Sequence, residues 1–232
     1  MDPGLRVITG SSPAEAPLAL PDLPVPPDML HWEYLHASRG EIPVAGLDEA
    51  GRGPLAGPVV AAAVILPPED SYPVALRDSK KLTPRRREAA FEFLRRLPGS
   101  AIGVGIVEAE EIDRINILEA TRKAMLTALR ELPVVPAALL IDALFLPGTD
   151  IPQRGLVRGE EASVSIAAAS IVAKVTRDRI MVEADRRHPA YGFARHKGYG
   201  TRRHLAALAE HGPSPLHRLS FRPVKECRVP GL

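Results

Sequence analysis

Apolar positions along the chain fall into short blocks with two different periods. Ile42 to Asp48 is a short apolar run closed by a carboxylate. Val59 to Leu66 is apolar at every position, as a strand buried on both faces must be. Between them, Gly51 to Pro58 carries three Gly and two Pro, which predicts a turn and hence an antiparallel strand pair. Pro84 to Arg96 predicts a helix, with Thr83 as its cap and Pro84 in its first turn. Ala101 to Val107 reads as a third strand, its β-branched residues broken by Gly. Ile117 to Leu132 puts Leu118, Met125, Leu129 and Leu132 on one helical stripe. Ala137 to Ile141 is a wholly apolar fourth strand running into Asp142, and Leu156 with Val157 suggests a short fifth. Ala162 to Arg187 predicts one long helix and Thr201 to Glu210 another. Three strands, then strands alternating with helices, predict an α/β domain: a mixed five-stranded sheet flanked by helices.

The same pass divides the chain. Residues 1–27 hold seven Pro and no hydrophobic period, so residues 1–40 are expected to be a largely flexible arm. The sheet domain is expected over 41–187 and a basic helical extension over 188–232. Composition, 45% hydrophobic and 25% charged over 232 residues, excludes a mainly disordered chain. The longest apolar run is too short to cross a bilayer, and no membrane association is expected. The arm lacks the basic start and apolar stretch of a secretory signal. A single Cys, Cys227, allows no internal disulfide and fits a reducing compartment, the cytoplasm. Nothing in the sequence demands more than a monomer.

Net charge is +2 but unevenly spread. Lys174 to the C-terminus holds 13 Lys and Arg against 5 Asp and Glu, a balance of +8, which leaves −6 for residues 1–173. Five of the seven His lie in the same basic segment. Such a segment suits either a polyanion or a plain solvated surface. From Tyr191 to His204, aromatics interleave with Arg195, His196, Lys197, Arg202 and Arg203, the composition of a nucleic-acid surface. His188, His196 and His204 recur every eight residues but match no zinc spacing.

Chemistry is suggested by acids on buried strands: Asp48 and Glu49 after the first, Asp142 after the fourth. A strand-end acid often caps a turn or pairs with Arg. If the two strands are neighbours, however, the carboxylates converge and repel, and hard divalent cations relieve the repulsion. Such a cluster suits two-metal phosphoryl chemistry, one ion activating water and the other stabilising the leaving oxygen. Gly51-Arg52-Gly53 lets a backbone approach a ligand closely, or simply makes a tight hairpin. It is no Walker loop, because no Gly-Lys-Ser/Thr follows, and no dinucleotide fingerprint, because a strand comes next. Lys80 and Lys81, before a helix, could hold phosphate or line a solvated loop.

Together these segments resemble the ribonuclease HII family. The resemblance rests on Gly46-Leu47-Asp48-Glu49-Ala50-Gly51-Arg52-Gly53 with Pro54 to Val59, on Asp78-Ser79-Lys80-Lys81-Leu82, and on Ile141-Asp142-Ala143. It continues through Ser165 to Asp178, Gly198-Tyr199-Gly200-Thr201, His217-Arg218 and Ser220-Phe221, covering about Val44 to Val224. It implies a ribonuclease H-like fold with a C-terminal helical extension that completes the substrate site. It implies cleavage of the RNA strand of RNA–DNA hybrids and at single ribonucleotides embedded in duplex DNA. It further implies a cut 5′ of the ribonucleotide that leaves 3′-hydroxyl and 5′-phosphate ends, the use of two Mg²⁺ or Mn²⁺ ions, and a part in ribonucleotide excision repair. The sequence alone supports no contact with a replication clamp.

By the same resemblance, Asp48, Glu49 and Asp142 match three acids of a four-carboxylate site that would both hold metal and catalyse. The fourth is normally an Asp following Gly. Here the stretch reads Arg158-Gly159-Glu160-Glu161, and the count to Ser165 puts Glu160 at that position, with Glu161 as the alternative. The longer side chain moves the carboxylate by about a bond length, to which a Mg²⁺ site is sensitive. Gly51, Arg52 and Gly53 are implied to read the ribose 2′-hydroxyl, and Tyr199 to contact the ribonucleotide at the RNA–DNA step. Lys80, Lys81, Ser170 and Lys174 are candidates for phosphate contact or for supporting the site. Arg177 and Asp178, on one helix, are expected to form a structural pair. A non-catalytic binder of the same fold, disabled by Glu160, is the chief alternative. Ribonuclease HIII fits less well, since the residues before Val44 are too few and too Pro-rich for its extra domain.

Overall fold

A computed structural model describes residues 27–69, 72, 76 and 82–227. The central sheet has five strands in the order β3-β2-β1-β4-β5. These are β1 (Val44–Ala50), β2 (Val59–Ile65), β3 (Ala101–Val107), β4 (Ala138–Asp142) and β5 (Gln153–Leu156). β1, β2 and β3 form an antiparallel meander, whereas β4 runs parallel to β1 and β5 parallel to β4. The sheet is therefore mixed, as the order of elements requires.

Two helices cover its faces. Helix α4 (Ile117–Arg130) packs Ala120, Ala124, Met125 and Ala128 against Ala61, Ala63 and Ile65 of β2 and Leu139 and Ile141 of β4. Helix α6 (Val164–Arg187) covers the opposite face with Ala168, Ile171, Val172 and Val175, and α2 (Pro84–Arg96) packs beside it. β2 alternates its inward positions accordingly, with Ala62 and Val64 toward α6 and Ala61, Ala63 and Ile65 toward α4. Gly46 sets how closely α6 can lie. A Cβ there would fall 2.1 Å from the Ser165 backbone carbon, so any larger residue pushes the first turn of α6 off the sheet.

The remaining helices are α1 (His31–Ser38), α3 (Ala109–Ile115), α5 (Gly159–Ala162), α7 (Phe193–His196) and α8 (Arg202–His211). Four boundaries differ from the sequence expectations. Packed structure begins before residue 41, because Met29 and Leu30 are buried in a helical turn that leads into α1. Glu33 of α1 accepts hydrogen bonds from the Ser163 hydroxyl (2.6 Å) and the Ser165 amide (3.0 Å), so it helps to cap α6 from about 130 residues away in sequence. The long helix expected from Ala162 is broken at Ser163, whose hydroxyl accepts from the Ile166 amide. β5 ends at Leu156 and leaves Val157 exposed. β1 runs on through Ala50, so Asp48 and Glu49 lie inside it, paired with Ala62 and Ala61.

Candidate active site

Register brings the first acids together. β1 and β4 run parallel with Leu47 beside Ile141, so Asp48 and Asp142 stand one step further along neighbouring strands. Gly46 and Asp48 share the face covered by α6, as do Leu140 and Asp142, since alternate residues point the same way. Burial, and after it the charges of Glu49 and Asp142, hold the Asp48 carboxyl well above the usual carboxylate range. A hydrogen bond with Ser170 of α6 and another from the Glu49 amide (2.7 Å) act in the opposite direction.

A backbone hydrogen bond sets the candidate for the fourth acid beside Asp142. The Gly159 amide donates to Asp142 Oδ1 at 2.7 Å, which fastens the first turn of α5 beside β4. Glu160, the next residue, is buried, whereas Glu161 is half-exposed and pairs with Arg158 at 2.5 Å. Of the two candidates it is Glu160 that turns inward. Among the described residues no group of His, Cys, Asp or Glu is already closed around a metal position. The chemistry of the candidate donors nevertheless suits a hard divalent cation: all are carboxylate oxygens, and Asp48 carries the electrostatic cost of its acidic neighbours.

Beside the acids lies the Gly-Arg-Gly loop. Gly51 has φ +94°, and a Cβ there would sit 2.0 Å from Arg177 Nε, so only glycine fits. Arg52 reaches back to Glu49 at 3.3 Å. Tyr199 is 46% exposed, and its ring lies 3.9 Å from where a Cβ on Gly53 would be. The loop and the Gly198-Tyr199-Gly200 turn are also joined by the Leu55 amide donating to Gly198 O at 2.8 Å. Exposed Arg195, Arg202 and Arg203 flank Tyr199 in sequence.

The frame under this loop is two buried guanidinium groups. Arg218 donates to the carbonyls of Gly51 (2.6 Å), Arg52 (2.9 Å) and Gly57 (2.9 and 3.0 Å). Arg177 donates to Pro58 O, Ala56 O and Lys197 O. Burial, and for Arg218 the neighbouring Arg177 as well, lowers their pKa to about 9 for Arg218 and about 10 for Arg177. Arg177 thus does not form the expected pair with Asp178, which binds Lys174 (2.6 Å) and Arg87 (3.7 Å) instead. Burial also lowers the pKa of Lys174, whose ammonium is turned to Asp178. Lys80 and Lys81 lie outside the described residues.

The aromatic interleaving of the tail is mostly core. Tyr191 and Phe193 are buried and stacked 5.3 Å apart, with His196, His204 and His217 around them, so only Tyr199 of the three rings is presented. Arg218 finds its partners far away in the chain, at Gly51, Arg52 and Gly57, whereas His217 finds its own nearby, at Ser214 and His204; neither residue carries a sequence signal beyond completing the resemblance.

A mixed five-stranded sheet with acids converging across β1 and β4 defines a ribonuclease H-like enzyme. The Ribonuclease HII family model matches residues 45–224. Ribonuclease HII of Geobacillus kaustophilus is 54% identical over 199 residues, 86% of this chain and 75% of that protein. Ribonuclease HII of a Geobacter species is 55% identical over 207 residues, 89% of either chain. Among solved structures, the Pyrococcus horikoshii ribonuclease H2 superposes with a TM-score of 0.65 at 26% identity, covering 79% of this chain and 96% of that one. Ribonuclease HII of Archaeoglobus fulgidus, solved in complex with PCNA, gives 0.67 at 26% identity, covering 80% and 97%. The chain belongs to the ribonuclease HII family. No helix among the described residues is long and apolar enough to cross a membrane.

Proposed function

We propose that the protein hydrolyses the RNA strand of RNA–DNA hybrids and cuts duplex DNA 5′ of single embedded ribonucleotides, leaving 3′-hydroxyl and 5′-phosphate ends. This is the incision that starts ribonucleotide excision repair. The observation that carries the reading is one juxtaposition: inward-turned acids of β1, β4 and α5 beside a glycine-built loop and an exposed tyrosine.

Asp48, Glu49, Asp142 and Glu160 would hold two divalent cations, Mg²⁺ or Mn²⁺. Bound there, the ions supply an activated water and a charge partner for the leaving 3′-oxygen. Asp48 is kept in place by Ser170 and by the Glu49 amide. Gly51, Arg52 and Gly53 bring backbone close enough to read a 2′-hydroxyl, the group that separates RNA from DNA. Tyr199 stacks on the nucleotide at the RNA–DNA step, and exposed arginines near it take the phosphates. Lys174, held by Asp178, supports α6 behind Asp48 rather than reaching the phosphate directly. Reaction rate arises largely from positioning in a site whose charges are fixed before substrate arrives.

The test is cleavage of a labelled DNA duplex carrying one ribonucleotide, with Mg²⁺, with Mn²⁺ and with EDTA. Metal-dependent cutting 5′ of the ribonucleotide supports the proposal. An intact duplex in all three conditions, with binding retained, replaces it with a non-catalytic binder. For the fourth acid, Glu160→Gln is expected to lose most of the rate. Wild-type turnover in that variant removes Glu160 from the site.

A further inference from the structure

The turn that carries Tyr199 has every backbone polar group of Gly198 and Tyr199 occupied. Gly198 O accepts from the Leu55 amide. The Gly198 amide donates to His196 Nδ1 (3.2 Å), and the Tyr199 amide donates to His196 O (2.9 Å). Tyr199 O accepts from the Thr201 amide (2.7 Å) and also faces His204 Nδ1 at 2.9 Å. Behind His204, the two Nε2 atoms of His204 and His217 lie 3.0 Å apart, and both rings are buried. The Ser214 amide donates to His217 Nδ1 at 2.9 Å, and the Ser214 hydroxyl lies at 2.9 Å from the same nitrogen, where it too acts as a donor.

A backbone amide can only donate, and this fixes the protons along the line. His217 Nδ1 must be the acceptor, so the neutral ring carries its proton on Nε2. That proton can go only to His204 Nε2, which must then be bare. His204 therefore carries its proton on Nδ1 and donates it to Tyr199 O. The opposite tautomer of His204 would set Nε2–H against Nε2–H and an Nδ1 lone pair against the carbonyl oxygen. Burial keeps both rings neutral: His217 is pushed down to about 4, and His204 is lowered as well.

We infer that His217 and His204 are positioning residues, a tautomer-locked relay running from the Ser214 amide to the Tyr199 carbonyl that fixes the Tyr199 ring over Gly53. His217 does not touch the turn. It acts by dictating which nitrogen of His204 holds the proton. The inference rests on the proposed contact of Tyr199 with the ribonucleotide, and its tests separate the two.

The first readout is independent of activity. Nitrogen-15 NMR of the imidazole rings should find His204 protonated on Nδ1 and His217 on Nε2 in the full-length protein. His204 protonated on Nε2 overturns the relay. The second readout compares two variants on the single-ribonucleotide duplex. His217→Leu removes the donor and should lower kcat/KM by about five- to tenfold, the size of one hydrogen bond's effect. His217→Gln offers an amide N–H where Nε2–H was and should restore most of that loss while leaving His204 protonated on Nδ1. Should His217→Leu fail to fold, the wild-type tautomers and His217→Gln still decide the matter, since Gln with His204 switched to Nε2–H overturns the relay. Equal kcat/KM for wild type and a folded His217→Leu removes its role in positioning. Undiminished cleavage by Tyr199→Ala defeats the Tyr199 contact, and the functional half of the inference with it, while the tautomers are scored separately.

Discussion

Replacing Arg218 by Lys keeps the charge and removes the fork. Arg218 is fully buried, and its Nε, Nη1 and Nη2 serve three carbonyls, those of Gly51, Arg52 and Gly57. A lysine ammonium is a single point on a flexible stem and cannot span that fan. One or two carbonyls then lose their donor, and those of Gly51 and Gly57 do so at buried hydrogen bonds. Each such loss costs about 1–3 kcal/mol, so the substitution should destabilise the fold by about 2–5 kcal/mol. A domain of this size shifts its Tm by about 2–4 °C per kcal/mol, which puts the expected drop near 10 °C. Thermal unfolding followed by circular dichroism reads this directly. Cleavage at 25 °C, where the variant is still folded, should fall further on an embedded ribonucleotide than on a long hybrid, because the loosened loop is the one proposed to read a single 2′-hydroxyl. A Tm within about 2 °C of wild type, with cleavage unchanged, would refute the claim that Arg218 frames this loop.

Other changes test neighbouring parts. Asp48→Asn should abolish cleavage, by at least about 100-fold, yet raise the Tm in the absence of divalent ions. The sign follows from the raised Asp48 pKa: its folded state favours the protonated form, so its contribution to stability is lost as pH rises, and Asn carries no such charge. A Tm lower than wild type contradicts it. Gly51→Ala forces a Cβ into Arg177 at positive φ and should cost more than about 3 kcal/mol, read as a lowered midpoint in urea. His217, lowered from 6.5 to about 4 and only 3% exposed, resists protonation in the folded state alone. Stability should therefore fall as pH drops from about 6.5 toward about 4, by up to about 3 kcal/mol from this group. Denaturant melts of His217→Gln should show a shallower decline over the same window, and an equal slope disproves the assignment.

Much of the fold can be read locally. β2, α2, β3 and α4 lie where their periods put them, because each buries one stripe or both faces against a neighbour. α3 leaves little trace because it is a short, mostly polar helix of seven residues with only Ala109 and Ile112 buried. α1 was hidden by the Pro-rich composition before it, although Met29 and Leu30 anchor its entry. The acids were visible as charges on apolar strands, but their strand positions were not, since the ladder with β2 continues past them. Tail aromatics misled for a physical reason: a ring between cations suits a stacking surface and a histidine-lined core equally well. The guanidinium frame and the histidine relay leave no local pattern at all. The guanidinium groups bind backbone carbonyls, which any sequence supplies, and the histidines meet only once the tail has folded.

The hydrogen bonds of Arg177 and Arg218 to the loop at 51–58 span between 119 and 167 residues of chain. Contacts of such long range are the last to repay the entropy of closing the loops between them. During synthesis the first strands can pair and the acids can be in place while the residues that frame the reading loop are still unmade. A ribosome-bound chain that stops short of Arg218 holds the carboxylates proposed to bind metal without the device proposed to choose where they act. On the proposed reading, selectivity arrives with the final stretch of polypeptide, after the chemistry it restrains.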